Sequence, residues 1–163
     1  MKAILIAIAL LGALVGLWAY FEGPLRDPED AVGDFLQAQG RAEDQLTDPL
    51  VLAGPRVRPL VVSAVSDRKM KLRRYALAYL GCTRYAPAEA TLRQIASDET
   101  ELDYYRADAL EALWRIDAVQ GRALALSLQS RSNLVGDRAT QLVSSGPVGA
   151  CRSWFAALTR QHD

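Results

Sequence analysis

The sequence predicts an all-α protein: a short α-solenoid of stacked helix pairs preceded by one transmembrane helix. Three observations predict it. The chain opens with an uncharged apolar run over residues 3–21. Beyond Gly23-Pro24 the apolar residues recur at helical spacing, and no stretch alternates polar with apolar as a strand would. From Ala53 onward, two stretches repeat at one constant offset, the distance from Arg73 to Arg106. A fixed period in the low thirties built from two helices is the signature of stacked repeats, because one helix pair cannot bury its own apolar face.

The apolar run holds 19 residues. At ~1.5 Å per residue it spans roughly 28 Å, close to the ~30 Å hydrocarbon core of a bilayer. Trp18, Tyr20 and Phe21 cluster at its far end, where an aromatic belt would sit. Lys2 precedes it and acidic residues follow, so the positive-inside rule places the N-terminus in the cytoplasm. The expected location is the inner membrane, single-pass, with the repeat domain periplasmic or otherwise extracytoplasmic. The rival reading is a cleavable signal peptide. It needs a small-x-small site, and the one candidate, ending at Ala19, has Leu17 where a small residue belongs. Gly12 and Gly16 form a GxxxG that would let two membrane helices approach closely.

The remaining elements follow in order. Asp27 is an N-cap and Pro28 suits the first helical position. Ala31, Val32, Phe35 and Leu36 then share a face. Gly40 and Thr47–Pro49 read as breaks. Gly54-Pro55 opens a helix that turns Val57, Leu60, Val61, Ala64 and Val65 inward. Asp67 starts the next, "DRKMKLRRYALAYLG", with Leu72, Ala76 and Leu80 at i, i+4, i+8 and Gly81 as its stop. In the second unit Ala90, Leu92 and Ile95 are the apolar positions of the first helix, which ends at Asp98. Arg106, Ala109, Leu110 and Leu113 match Arg73, Ala76, Leu77 and Leu80, each at the same offset. A weaker third copy sets Arg138, Ala139 and Leu142 one further period beyond Arg106, Ala107 and Leu110. After Gly146-Pro147, Trp154, Phe155 and Leu158 make a short helix expected to cap the last repeat. The organisation is an anchor (1–23), a linker with a capping helix (24–52), repeats (53–145) and a C-terminal cap and tail (146–163).

The first unit resembles a HEAT-type repeat of the short bacterial kind. Gly54-Pro55, Pro59-Leu60, Asp67, Leu72-Arg73, Ala76 and Leu80-Gly81 occupy the places of that pattern. The second unit keeps Asp98, Arg106, Ala109 and Leu113, but has Trp114 in place of the glycine and a longer turn. The resemblance covers roughly residues 53–143. It implies that Arg73 bridges helix ends or turns, and that the surface binds other proteins. Some HEAT-like proteins resemble bilin lyases and others DNA glycosylases, so an enzyme of the lyase type is the alternative it leaves open.

Composition narrows the function. Nineteen basic residues balance nineteen acidic ones among 163, which is not the profile of a nucleic-acid binder. The signs come in blocks. Residues 22–48 are acidic, 56–74 basic and 98–111 acidic again, and each block reads as the solvated face of a helix. The single histidine, His162, is the penultimate residue, so no histidine-based triad or metal site is expected. No phosphate loop or HExxH helix is present. The expectation is therefore no catalytic residue, no metal, no cofactor and no small-molecule substrate. Cys82 and Cys151 admit two main readings, a disulfide or two buried thiols, with a catalytic or lipidated cysteine behind them. Arg56, Arg58, Lys69, Lys71 and Arg74 would meet an acidic partner, anionic lipid or the chain's own acidic segment. Tyr104, Tyr105 and Arg106 have the composition of an interface hot spot. The function expected is a membrane-anchored scaffold or accessory subunit of an envelope complex. A subunit working mainly through its transmembrane helix is a further alternative.

Overall fold

The computed structural model of the protein describes residues 11–14 and 27–159. These residues are all-helical, with no strand among them. Residues 11–14 are helical. The rest of the expected membrane span, Gly16 and His162 lie outside the described residues. Among the described residues no helix is long and apolar enough to cross a membrane.

The first element is α1 (Pro28–Leu36). The Asp27 carboxylate accepts the Glu29 amide at 2.7 Å and caps it. Ala31 and Phe35, one turn apart, are buried, with Val32 and Leu36 packed beside them. Thr47–Pro49 is not a break. It opens α2 (Asp48–Leu52), where Pro49 sits in the first turn and its missing N–H leaves no helical bond unmade. A 3-10 turn, Gly54–Val57, leads into α3 (Arg58–Val65). Val57, Val61 and Val65 form its buried stripe at i, i+4, i+8.

The Asp67 carboxylate then accepts the Lys69 amide at 2.9 Å, and α4 (Arg73–Cys82) follows. The second unit reproduces this plan. A 3-10 turn, Ala86–Ala88, leads into α5 (Glu89–Ser97), and the Asp98 carboxylate accepts the Thr100 amide at 2.9 Å before α6 (Asp103–Ile116). In α5 the buried residues are Leu92, Ile95 and Ala96. Ala90, expected inward, is exposed, because it lies about 200° around the helix from Leu92. The third unit, α7 (Ala118–Leu128) and α8 (Leu134–Ser145), is capped differently. Asp117 caps α7 through the Val119 and Gln120 amides, and Asn133 caps α8 through Gly136. The last helix is α9 (Trp154–Thr159).

The second helices of the units form one layer, with α6 between α4 and α8. The first helices α3, α5 and α7 each back their own partner, and α1 closes the N-terminal end against α2 and α3. Alanine makes the centre possible: α6 buries Ala107, Ala109 and Ala112 beside Leu110 and Leu113. Gly81 belongs to this contact. It does not stop α4, which runs on to Cys82; a Cβ there would meet Ala112 Cα at 2.6 Å. The glycine is required by the close crossing of α4 and α6, and the left-handed residue beyond the helix is Arg84. Nor does α9 cap the last repeat. It packs on α2 at the opposite end. The non-helical residues 146–153 are long enough for that crossing, since eight extended residues reach roughly 26 Å.

The units are fastened by a buried cation. Arg73 is only 1% exposed. Its Nε donates to the Val65 carbonyl at 2.7 Å, satisfying a carbonyl at the end of α3. Its Nη1 donates to Glu101 at 2.6 Å, ahead of α6 in the next unit, and its guanidinium lies 4.8 Å from the Tyr105 ring centre. Arg106, its counterpart in the second unit and 2% exposed, likewise donates Nε to the Ala96 carbonyl near the end of α5, at 3.3 Å. Arg138 departs from the series and donates to Glu111 on α6.

Two substitutions test this packing. Gly81→Ala should cost about 1–3 kcal/mol, because backbone must shift to admit the methyl group. Arg73→Met should cost about 3–5 kcal/mol, because it leaves buried Glu101 only the more distant Arg68, 3.8 Å away. Urea midpoints read both. Arg131→Ala, which removes a cation paired with exposed Glu99, should change stability by less than about 1 kcal/mol and serves as the control.

Candidate functional site

The outer side of the second-helix layer carries the one extended strap among the described residues, 146–153. Gly146, with φ +74°, turns the chain out of α8. Three fastenings then hold the strap. The Arg115 guanidinium donates to the Val148 carbonyl at 2.7 Å and the Gly149 carbonyl at 3.2 Å. Cys151 is joined to Cys82 of α4 by a disulfide, with Cα atoms 5.3 Å apart across 69 residues of sequence. Arg152 donates Nε to Asp48 at 2.7 Å, and its Nη1 lies 3.5 Å from Asp44. Between fastenings the strap is thinly covered: residues 148–151 are all exposed.

Grooves lie on both sides of it. One, of about 370 Å³, runs between the strap and the N-terminal elements, lined by Glu43, Val51, Tyr75, Tyr79, Cys82 and Arg152. Its rim is polar. The Tyr75 hydroxyl donates to Glu43 at 2.8 Å. Burial pushes the Tyr79 hydroxyl up to about 12 against the opposing charge of Arg58. A second groove, of about 590 Å³, is lined by Arg84, Trp114, Arg115, Ile116, Pro147 and both cysteines. Below the strap a smaller space of about 210 Å³ holds Asp108 and Glu111 among Arg74, Arg115 and Arg138. Burial raises the Asp108 carboxyl above its usual range, while Arg74 and Arg138 pull it down. Among the described residues, no three His, Cys, Asp or Glu side chains converge as a metal cluster would.

The residues singled out from sequence do not form one patch. Arg56 and Arg58 stand at the start of α3, Lys69 and Lys71 beyond its end. Arg56, Lys69 and Lys71 are exposed, whereas Arg58 is half-buried, 6.0 Å from the Tyr85 ring centre. Arg74 reaches the strap face and meets Asp108 at 3.4 Å. Tyr104 is exposed and its ring centre lies 4.3 Å from that of half-buried Tyr105. Arg106 is not available to a partner: its Nη1 meets Asp103 at 3.1 Å inside the fold. Gly12 is exposed, with no described atom within 4 Å of a Cβ built on it. In the chain's acidic segment, Arg152 meets Asp44 and Asp48. Arg115, Arg152, Asp44 and Asp48 were missed because no local pattern spans their contacts. Arg152 reaches Asp44 and Asp48 from the opposite end of the helical domain, and Arg115 takes its carbonyls from beyond α8. The only signal was an arginine next to one of two cysteines.

Comparison of the chain with family models, curated proteins and solved structures gives no match.

Asp108 makes a pH prediction. A carboxyl raised by the fold contributes most below its unfolded pKa and loses that contribution as pH rises through the folded one. Asn imitates the protonated acid. Asp108→Asn should therefore gain stability relative to the parent chain between pH 4 and pH 7, read as urea midpoints at both pH values.

Proposed function

We propose that the chain is a HEAT-like helical-repeat scaffold, tethered to the inner membrane by residues 3–21, that holds or recruits a protein partner outside the cytoplasm. The observation that carries the reading is the shared unit plan. Two helix pairs each end their first helix in an aspartate turn, and each has a buried arginine reaching back to the carbonyls at that helix end. A protein built this way offers its second-helix layer as a continuous surface. On this surface Arg74 pairs with Asp108, and Arg115 and Arg138 with Glu111. The apolar run over residues 3–21 supports the tether.

The test is a mild-detergent pull-down of the intact chain from its native membrane, with mass spectrometry. A stoichiometric protein partner is the expected outcome. A lone chain, or turnover of a substrate by the purified protein, would sink the scaffold reading and move the search to the lyase-type alternative. Gly12→Leu with Gly16→Leu separates the scaffold from a subunit that works through its anchor. On the scaffold reading the doubly substituted chain still captures its partner; loss of capture with the helical domain folded would favour the anchor.

A further inference from the structure

The strap occupies the face that a partner of such a scaffold would use. It is held there by the chemistry of peptide recognition: a guanidinium on successive carbonyls, and a carboxylate pair around an arginine. We propose that residues 147–153 are the resident occupant of a peptide-binding groove, locked in place by Cys82–Cys151, and that thiol–disulfide exchange opens the groove to an extended, arginine-bearing segment of a partner. The proposal rests on the scaffold reading and names how that surface is controlled.

The balance of the locking step follows from the geometry. A protein or small-molecule dithiol is the reductant. Its thiolate attacks Sγ of Cys82, which lines both main grooves, and the S–S bond breaks with the electron pair leaving on Cys151. Arg115 Nη1 lies 3.4 Å from Cys151 Sγ, so the departing thiolate is met by a cation. The second thiol of the reductant then displaces Cys82 and closes its own disulfide. The chain gains two thiols and the reductant loses two hydrogens.

With the bond open, residues 147–153 are held by Arg115 and Arg152, and their far end stays tied to α9 on α2, where Ala157 is buried. Residues 148–151 and 153 are exposed and bury little surface, so the strap lifts as a loop between these ends. What it leaves behind is defined. Asp48 is buried and needs a cation, Asp44 stands beside it, and Arg115, still paired with Glu111, keeps its outward donors for carbonyls. The Val51, Tyr75 and Tyr79 wall lies between them. An extended segment carrying an arginine three to four residues beyond a pair of accessible carbonyls reproduces the strap's own contacts. Helices α4 and α6 do not rest on the strap, since their contact is made through Gly81 and Ala112.

The test uses the full chain. Hydrogen exchange is followed by mass spectrometry on the oxidised protein and after dithiothreitol. Trypsin cleavage after Arg152, compared in the two states, is expected to quicken at least tenfold on reduction, while the amides of α4 and α6 keep at least a hundredfold protection from exchange. A labelled peptide of residues 146–155 with Cys151→Ser is then offered to the chain carrying Arg152→Ala, whose own strap no longer competes for Asp48. It should bind the reduced chain at least tenfold more tightly than the oxidised one, and Asp48→Asn should remove that binding. Unchanged cleavage after Arg152 on reduction overturns the proposal, as does loss of exchange protection throughout α4 and α6, which would make the disulfide a structural staple. Equal peptide binding to both redox forms, or to neither, overturns it too. None of these readouts needs the natural partner, so an empty pull-down would count against the scaffold reading alone.

Discussion

Arg73 is the interaction on which the stack depends. A guanidinium is expensive to bury and stays only where its donors find acceptors in fixed directions. Here one donor ends α3, another reaches Glu101 in the next unit, and Tyr105 covers the plane. The hairpin angle within the first unit and the seating of the second unit on it are thus set by the same side chain. A lysine would satisfy neither direction as well, since its single ammonium lacks the planar fork. The second unit repeats the half of this device that closes the hairpin, through Arg106 and Ala96. The third lacks it and relies on the caps Asp117 and Asn133 instead.

The blocks of charge take their meaning from this stacking. They read as solvated faces, yet the acidic block over residues 98–111 is held between arginines on both sides. Arg68, Arg73 and Arg74 meet Asp98, Glu101 and Asp108 from one side. Arg131 and Arg138 meet Glu99 and Glu111 from the other. Each pair joins residues roughly one repeat apart. The exposed pairs contribute little stability singly, at most about 1 kcal/mol each. Their alternation in sign matters more, because a unit slipped out of order would set like charges together. The chain's overall neutrality is then the sum of blocks that neutralise their neighbours.

Much of the helical part was legible in the sequence because its signals are local. The valine stripe of α3, the Asp27 cap and the aspartate turns each depend on residues within two turns of one another. The constant offset between the units paired Arg73 with Arg106 as equivalent positions. Failures occurred where a local signal had a distant cause. Gly81 looks like a helix stop, but it serves a crossing with Ala112 in the next unit. Arg106 beside two tyrosines has hot-spot composition, but the carbonyl of Ala96 claims it for the interior. The Trp154 helix looks like a cap for the nearest repeat, and it docks at the far end because Cys82 and Asp48 hold the strap that carries it. No periodicity encodes a contact that is made once.

That single contact changes what the repeat surface can do. In a bare stack the second-helix layer meets solvent along its length, and any partner that matches it binds. Here the layer is crossed by a segment tied covalently at its middle and by an arginine beyond. For a linked competitor the effective concentration is on the order of millimolar when the tether is short and flexible, and a disulfide raises the barrier to displacement further. A partner must then either bind around the strap, in the grooves that flank it, or wait for the strap to leave. The first route leaves the flanking grooves and Arg115 to a small contact area. The second opens the whole trough from Asp48 to Arg115. The surface therefore has two sizes, and the state of one sulfur–sulfur bond decides between them.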